Sequence, residues 1–403
     1  MAFARPLTRL NHPREIVRQF TPNWFTATMG TGILSLSIAQ FPLAHGALQN
    51  VGMALWIFNI ALFAICSILM LARAVFFWND FVRLFGHPVQ SMFLGAIPMG
   101  LATIVNGYLA FGLPAFGTRA VAMAHQLWWI DAFLAALSGW FVPYLMFSRQ
   151  SHSIEGMTAV WLLPIVPAEV AAASGALLAP HLAHGDAQVV LAISVLLWTL
   201  SVPLALGILS ILFMRLALHN IPPRDMAVSG WLTLGPLGTG ALAMVLIGAD
   251  ARQILVGTAL APLSQIVHGV GLFTGILLWG YGAWWWVIAI ILTLHHARTS
   301  LPFNMGWWAF TFPLGVYTAA TFALGRELDA LPFTILGAFF AVLLAVFWLI
   351  VTLRTAHGAW NGYLFRAPCL SGETGLPIPE CDAQHPQNSA DPFAMHTHER
   401  IRT

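Results

Sequence analysis

The sequence predicts an all-α integral membrane protein with ten transmembrane helices. Three observations carry that prediction. The 403-residue chain is 59% hydrophobic and 8% charged, whereas a water-soluble domain carries about a quarter charged residues. Residues 19–72, 84–118, 187–214, 226–249, 253–297, 299–325 and 330–353 contain no Asp, Glu, Lys or Arg, and 120–148 and 156–185 are interrupted only by Asp131 and Glu169. Finally, a pattern of helix-breaking residues recurs five times along the chain.

A spanning helix takes about 20 apolar residues, so run 19–72 holds two, near 22–41 and 51–72. The third, near 89–111, follows Arg83. The fourth, near 122–147, lies between Arg119 and Arg149 and contains Asp131; the fifth, near 157–178, contains Glu169. The sixth, near 188–214, stops at Arg215, and the seventh occupies 229–249. Run 253–297 has the length for two spans, but Pro262 in polar surroundings marks its start as a loop, leaving one span near 266–294. The ninth and tenth, 305–325 and 331–353, are separated by the charged stretch from Arg326 to Asp329.

All 17 basic residues are Arg. Arg5, Arg9, Arg14, Arg18, Arg73, Arg83, Arg149, Arg215, Arg224, Arg298, Arg354, Arg366, Arg400 and Arg402 fall on one side of these spans. Arg119, Arg252 and Arg326 fall on the other. The positive-inside rule makes the first side cytoplasmic, with both termini there, as an even span count requires. The apolar run after the N-terminal segment is too long for a signal peptide and shows no cleavage site. The chain divides into a cytoplasmic N-terminal segment (1–21), a membrane domain (22–356) and a polar C-terminal tail (357–403), read as disordered.

The repeat lies in the odd spans. Phe25, Gly30 and Gly32 in the first match Phe93, Pro98 and Gly100 in the third, and Leu162, Pro167 and Glu169 in the fifth. Trp231, Pro236 and Gly238 in the seventh match Trp308, Pro313 and Gly315 in the ninth. Successive breakers are 68, 69, 69 and 77 residues apart. A mid-helix proline removes a hydrogen bond and kinks the helix, and lipid tolerates this only where the freed groups face protein or a wet cavity. Five kinked helices around a common axis are therefore expected, with Gly30, Gly32, Pro98, Gly100, Pro167, Glu169, Pro236, Gly238, Pro313 and Gly315 lining a pore.

The strings FTPNWFTATMGTGILSL from Phe20, PMGLATIVNGY from Pro98, WLLPIVP from Trp161, GWLTLGPLGTG from Gly230 and GWWAFTFPLG from Gly306 resemble the tellurite-resistance/dicarboxylate transporter family. That family includes a bacterial tellurite-resistance channel, yeast malate permeases and sulfite efflux pumps, and plant slow anion channels. The resemblance covers roughly residues 15–360. It implies ten helices in five hairpins with quasi-five-fold symmetry, one pore per subunit, and a homotrimer. It also implies a pore-plugging phenylalanine in the ninth helix, matched here by Phe312, with Phe310 as the alternative. The repeat then sets Met29, Ile97, Val166 and Gly235 level with Phe312, an apolar gate ring.

No Arg lies mid-span, so anion preference must rest on weak dipoles: half-helix N-termini, aided by Thr26, Thr28, Thr31, Ser35, Thr103, Asn106 and Thr311. The competing role for these hydroxyls is back-bonding within their own helix. Asp131 and Glu169 are possible protonation sites. Glu169 replaces the glycine of the other repeats. It either faces the pore, where it must be neutral to pass anions, or donates a hydrogen bond to a carbonyl freed by Pro167. For Asp131 an interhelical hydrogen bond is expected, and His268 reads as a core histidine.

The expected activity is movement, chiefly export, of small anions across a cell inner membrane. C4-dicarboxylates such as malate come first, with sulfite or another small inorganic anion as the alternative. No cofactor is expected. A net charge of +2 excludes nucleic acid as a partner, leaving the anions and the lipid bilayer. HExxH, GxSxG and nucleotide-loop motifs are absent, against an enzyme. A membrane haem protein would need two facing histidines, and the interior offers chiefly His125 and His268. Cys369, Cys381, His385, His396 and His398 lack metal-ligand spacing.

Overall fold

The computed structural model describes residues 7–10, 12–42 and 45–370. Among the described residues all regular structure is helical. Each expected span coincides with one helix: α1 (Phe25–Ala39), α2 (His45–Phe76), α3 (Ala96–Gly107), α4 (Thr118–Ser148), α5 (Pro167–Leu178), α6 (His184–His219), α7 (Leu234–Ile254), α8 (Ser264–Ala297), α9 (Phe312–Glu327) and α10 (Leu331–Asn361). The long run 253–297 holds a single helix, α8, after a turn-rich stretch.

Odd and even helices differ in kind. The even helices are 31 to 36 residues long and turn apolar side chains outward, with Phe147 84% and Phe273 68% exposed. This is the composition of a lipid-facing wall. The odd helices are buried nearly all round; α1 conceals thirteen of its fifteen residues. Among the described residues, seven stretches are long and apolar enough to cross a membrane unaided: the five even helices, Ser91–Phe116 and Arg224–Ile254. The remaining three, α1, α5 and α9, have 15, 12 and 16 residues. Being enclosed by protein, they can yield to non-helical backbone at membrane depth without exposing polar groups to lipid.

The odd helices touch in a closed cycle, α1 to α3 to α5 to α7 to α9 and back to α1. Each even helix packs on the odd helix before it and the one after it: α2 on α1 and α3, α4 on α3 and α5, α6 on α5 and α7, α8 on α7 and α9, α10 on α9 and α1.

The first described residues and the end of α10 lie on one face, called here the terminal-bearing face, since the Leu7 and Arg9 N–H groups donate to the carbonyls of Trp360 (2.7 Å) and Asn361 (3.2 Å). On the same face, buried Arg73 at the end of α2 donates to the carbonyls of Phe20 and Asp80 and lies 3.5 Å from Cys369 Sγ. Asp80 belongs to a short helix, Trp78–Gly86, which the hydrophobic runs did not reveal. It is tied to the N-terminal segment by the 2.6 Å Arg18–Asp80 ion pair.

The expected tail boundary at 357 falls inside α10. The helix closes at Gly362 in the left-handed conformation (φ +82°), where glycine carries no steric penalty. Residues 363–370 then pack back on the protein, burying Phe365, Ala367 and Leu370. The rest of the tail, with Cys381, His385, His396, His398, Arg400 and Arg402, lies outside the described residues, as does Arg5.

Candidate functional site

Each odd helix is preceded by a 3₁₀ lead-in on the terminal-bearing face: Pro22–Trp24, Ser91–Gly95, Ala159–Leu162, Arg224–Thr233 and Met305–Phe310. Local chemistry starts two of them. The Thr158 hydroxyl accepts from the Val160 N–H (3.4 Å), and Asn304 Oδ1 accepts from the Gly306 N–H (2.7 Å). These side-chain caps satisfy donors that a helix start leaves orphaned. The α-helices begin where the prolines sit: Pro167 is the first residue of α5, Pro313 the second of α9, and Pro98 and Pro236 the third of α3 and α7. In a first turn the missing N–H is one of the orphans anyway. The prolines thus mark a change from 3₁₀ to α rather than the expected mid-helix kink. Gly30 lies inside continuous α1 and breaks nothing.

The five lead-ins surround a vestibule of about 350 Å³. Asn23 and Thr26 line it from the first, Gln90 from the second, Val160 and Leu163 from the third, Ser229 and Leu232 from the fourth, and Asn304 from the fifth. Below it is a cavity of about 10 Å³ walled by Met99, Leu162, Leu163, Val166, Leu232, Gly235, Phe312 and Pro313, room for at most one water. Leu163 and Leu232 line both spaces, so the vestibule adjoins the second space, an apolar constriction, across these two side chains. Met99, Val166, Gly235 and Phe312 bring the starts of α3, α5, α7 and α9 to this space, and helix N-terminal ends carry partial positive charge.

The constriction unites three gate-level residues, Phe312, Val166 and Gly235. Ile97 is half-buried and is replaced there by Met99, two residues on, while Met29 is buried outside its wall. Phe310 is placed elsewhere, in an aromatic cluster with Trp231 (5.2 Å), Trp307 (5.7 Å) and Phe347 (4.9 Å).

The repeat glycines line neither cavity; they are seams between odd helices. A Cβ on Gly238 would stand 2.8 Å from the Tyr317 backbone nitrogen of α9, and one on Gly315 2.5 Å from Ile33 Cγ1 of α1. Gly100 faces Thr28, Gly32 faces Thr103, and Gly30 faces Thr311 and Trp308. Glu169 obeys the same geometry. It is fully buried, with Oε2 3.3 Å from where a Gly240 Cβ would stand, a spot also bounded by Val202 and Leu278. Neither oxygen has a hydrogen-bond partner. Glu169 therefore lies in the α5–α7 seam, outside the linings of both cavities and bonded to no freed carbonyl. Asp131, 1% exposed, likewise has two unpartnered oxygens and lacks the expected interhelical bond.

The hydroxyls mostly bond backwards. Thr26, Thr28, Ser35, Thr103 and Thr311 donate to the carbonyls of Asn23, Phe25, Gly32, Gly100 and Trp308, and of these only Thr26 also lines the vestibule. Thr31 Oγ1 accepts from Trp348 Nε1 (3.0 Å). His125 is bonded to Trp129 (3.1 Å), and His268 lies 4.0 Å from Glu327, so the two form no facing pair. Among the described residues no cluster of His, Cys, Asp or Glu has metal-binding form. The sequence reading missed Asn23, Gln90 and Asn304. The turn signal FNMGW held the clue for Asn304, since an Asn just before an apolar helix is a capping residue.

Residues 19–356 match the voltage-dependent anion channel family. The sulfite efflux pump of Arthroderma otae is 37% identical over 354 residues, covering 87% of this chain and 93% of the pump. The malic acid transport protein of Schizosaccharomyces pombe is 25% identical, with 83% and 77% covered. An uncharacterized transporter of Methanocaldococcus jannaschii is 29% identical, with 87% and 97% covered.

Proposed function

The chain belongs to the voltage-dependent anion channel family, and from that premise we propose that it exports small anions through the ring of odd helices. Sulfite-like oxyanions stand ahead of C4-dicarboxylates. This reverses the order expected from sequence, because the Arthroderma otae sulfite efflux pump is 37% identical and the malic acid transport protein 25%. Size argues the same way: a compact oxyanion requires less widening of a 10 Å³ constriction than a four-carbon diacid.

The observation that carries the reading is that vestibule and constriction adjoin across Leu163 and Leu232. An anion would meet neutral polar groups and helix N-termini, which attract it without holding it. Phe312 closes the path by apolar exclusion, hydrophobic constrictions gating by dewetting. The ring is read as quasi-five-fold, one pore per subunit of a homotrimer, in the cell inner membrane with both termini cytoplasmic.

Proteoliposome flux with sulfite, malate, succinate, nitrate and chloride tests the substrate order. Sulfite is expected to move faster than malate; the opposite order would return malate to first place. Single cysteines at Arg83, Arg149, Arg224 and Arg298 should resist impermeant thiol reagents outside intact cells, and labelling of any one would overturn the orientation. Because Glu169 sits in a seam, Glu169→Gln should leave both flux and its pH profile unchanged. A flattened pH profile would put the carboxyl in the conduction path.

A further inference from the structure

Two charged side chains border the vestibule, Asp225 and Arg366. Arg366 belongs to the segment after α10, and that segment is pinned at several points. Phe365 stacks on Trp24 with ring centroids 4.8 Å apart and planes 16° apart. The Ala367 N–H donates to Gln19 Oε1 (3.2 Å). Leu370 is 1% exposed, and Cys369 Sγ lies 3.5 Å from Arg73. Arg366 itself is exposed, between buried Phe365 and buried Ala367. The fold therefore sets Arg366 on the rim of the cavity from a fixed backbone, which reduces the ordering cost of using its guanidinium there.

We propose that Arg366 is the anion-capturing residue of the vestibule, selecting oxyanions as they enter from the terminal-bearing face. The proposal rests on the transport reading above. A guanidinium offers several N–H donors in a planar fork, matched to two oxygens of one oxyanion. The other polar side chains of the lining, among them Asn23, Gln90, Ser229 and Asn304, are neutral, so a captured anion moves from a charged contact to weaker dipoles and is not trapped. Asp225 on the same rim opposes capture by like charge. Its carbonyl holds Asn304 Nδ2 (3.0 Å), which places the carboxylate-bearing residue beside a polar group of the path.

The test is sulfite flux against concentration in oriented proteoliposomes, with sulfite supplied to one face at a time. Arg366→Gln is expected to raise KM from the terminal-bearing face about fivefold, the size of one partly exposed charge contact, with little change in kcat. From the opposite face KM should be unchanged. Arg366→Glu should raise KM further, Arg366→Lys should recover part of the loss, Asp225→Asn should lower KM, and added salt should shrink all these differences. Thermal stability of Arg366→Gln equal to that of the wild type shows that the segment still packs. Wild-type KM in Arg366→Gln, or an equal rise from both faces, would overturn the proposal while leaving transport intact. A wild-type protein that passes no anion would overturn the transport reading, and this proposal with it.

Discussion

Phe312→Ala is expected to raise anion flux by about tenfold or more, since a barrier lowered by about 1.4 kcal/mol is tenfold in rate. The ring stands at the first position of α9 in the wall of a space of about 10 Å³. Its neighbours there, Val166, Gly235, Met99 and Pro313, offer an anion no hydrogen-bonding side chain. The barrier is thus the cost of stripping water from the ion at an apolar neck. Truncation to alanine opens room for hydrating water and lowers that cost. Phe310→Ala is the matched control. It empties a pocket among Trp231, Trp307 and Phe347, so it should lower the melting temperature without raising flux. A rise with Phe310→Ala and none with Phe312→Ala would exchange their roles.

Gly238→Val is expected to abolish folded protein or lower its melting temperature sharply. The new Cβ would lie 2.8 Å from the Tyr317 nitrogen and 2.9 Å from its Cα. Those are backbone atoms of α9, which cannot rotate aside, so two inner helices must separate. Overpacking typically costs about 1–3 kcal/mol, and here the strain passes into a closed cycle of helices. Gly280→Ala on α8, where nothing lies within 4 Å of the added carbon, should be neutral or slightly stabilising. A folded Gly238→Val with unchanged melting temperature would reject the seam account of the repeat.

The spans were legible because length and uninterrupted apolarity are one-dimensional properties. Even the long run 253–297 resolved correctly, since Pro262 interrupts it near one end. The repeat was legible as well, but its meaning was not. Proline is read as a kink when its position within the helix is unknown. At Pro167 and Pro313 it stands in the first turn, because a 3₁₀ segment precedes it, and no pattern of hydrophobicity separates 3₁₀ from α. Glycine is read as pore-lining or seam-forming depending on helix rotation, and a helix buried on every side carries no amphipathic stripe to report that rotation. The same loss shifted the α3 gate residue from Ile97 to Met99 and turned Glu169 from the passage into the α5–α7 seam. The wall at 363–370 was hidden because contacts there, such as Phe365 on Trp24 or Ala367 on Gln19, join residues more than 300 positions apart in the chain.

The most direct test of the conduction path is a single cysteine at Leu232, which borders both the vestibule and the constriction, with Cys66, Cys369 and Cys381 changed to serine. A negatively charged, membrane-impermeant methanethiosulfonate reagent is applied to the terminal-bearing face during sulfite flux. The path described here predicts that modification blocks flux, and that excess sulfite on that face slows the modification. Complete modification of Leu232→Cys with flux undiminished would contradict it, because the anion would then be crossing somewhere else.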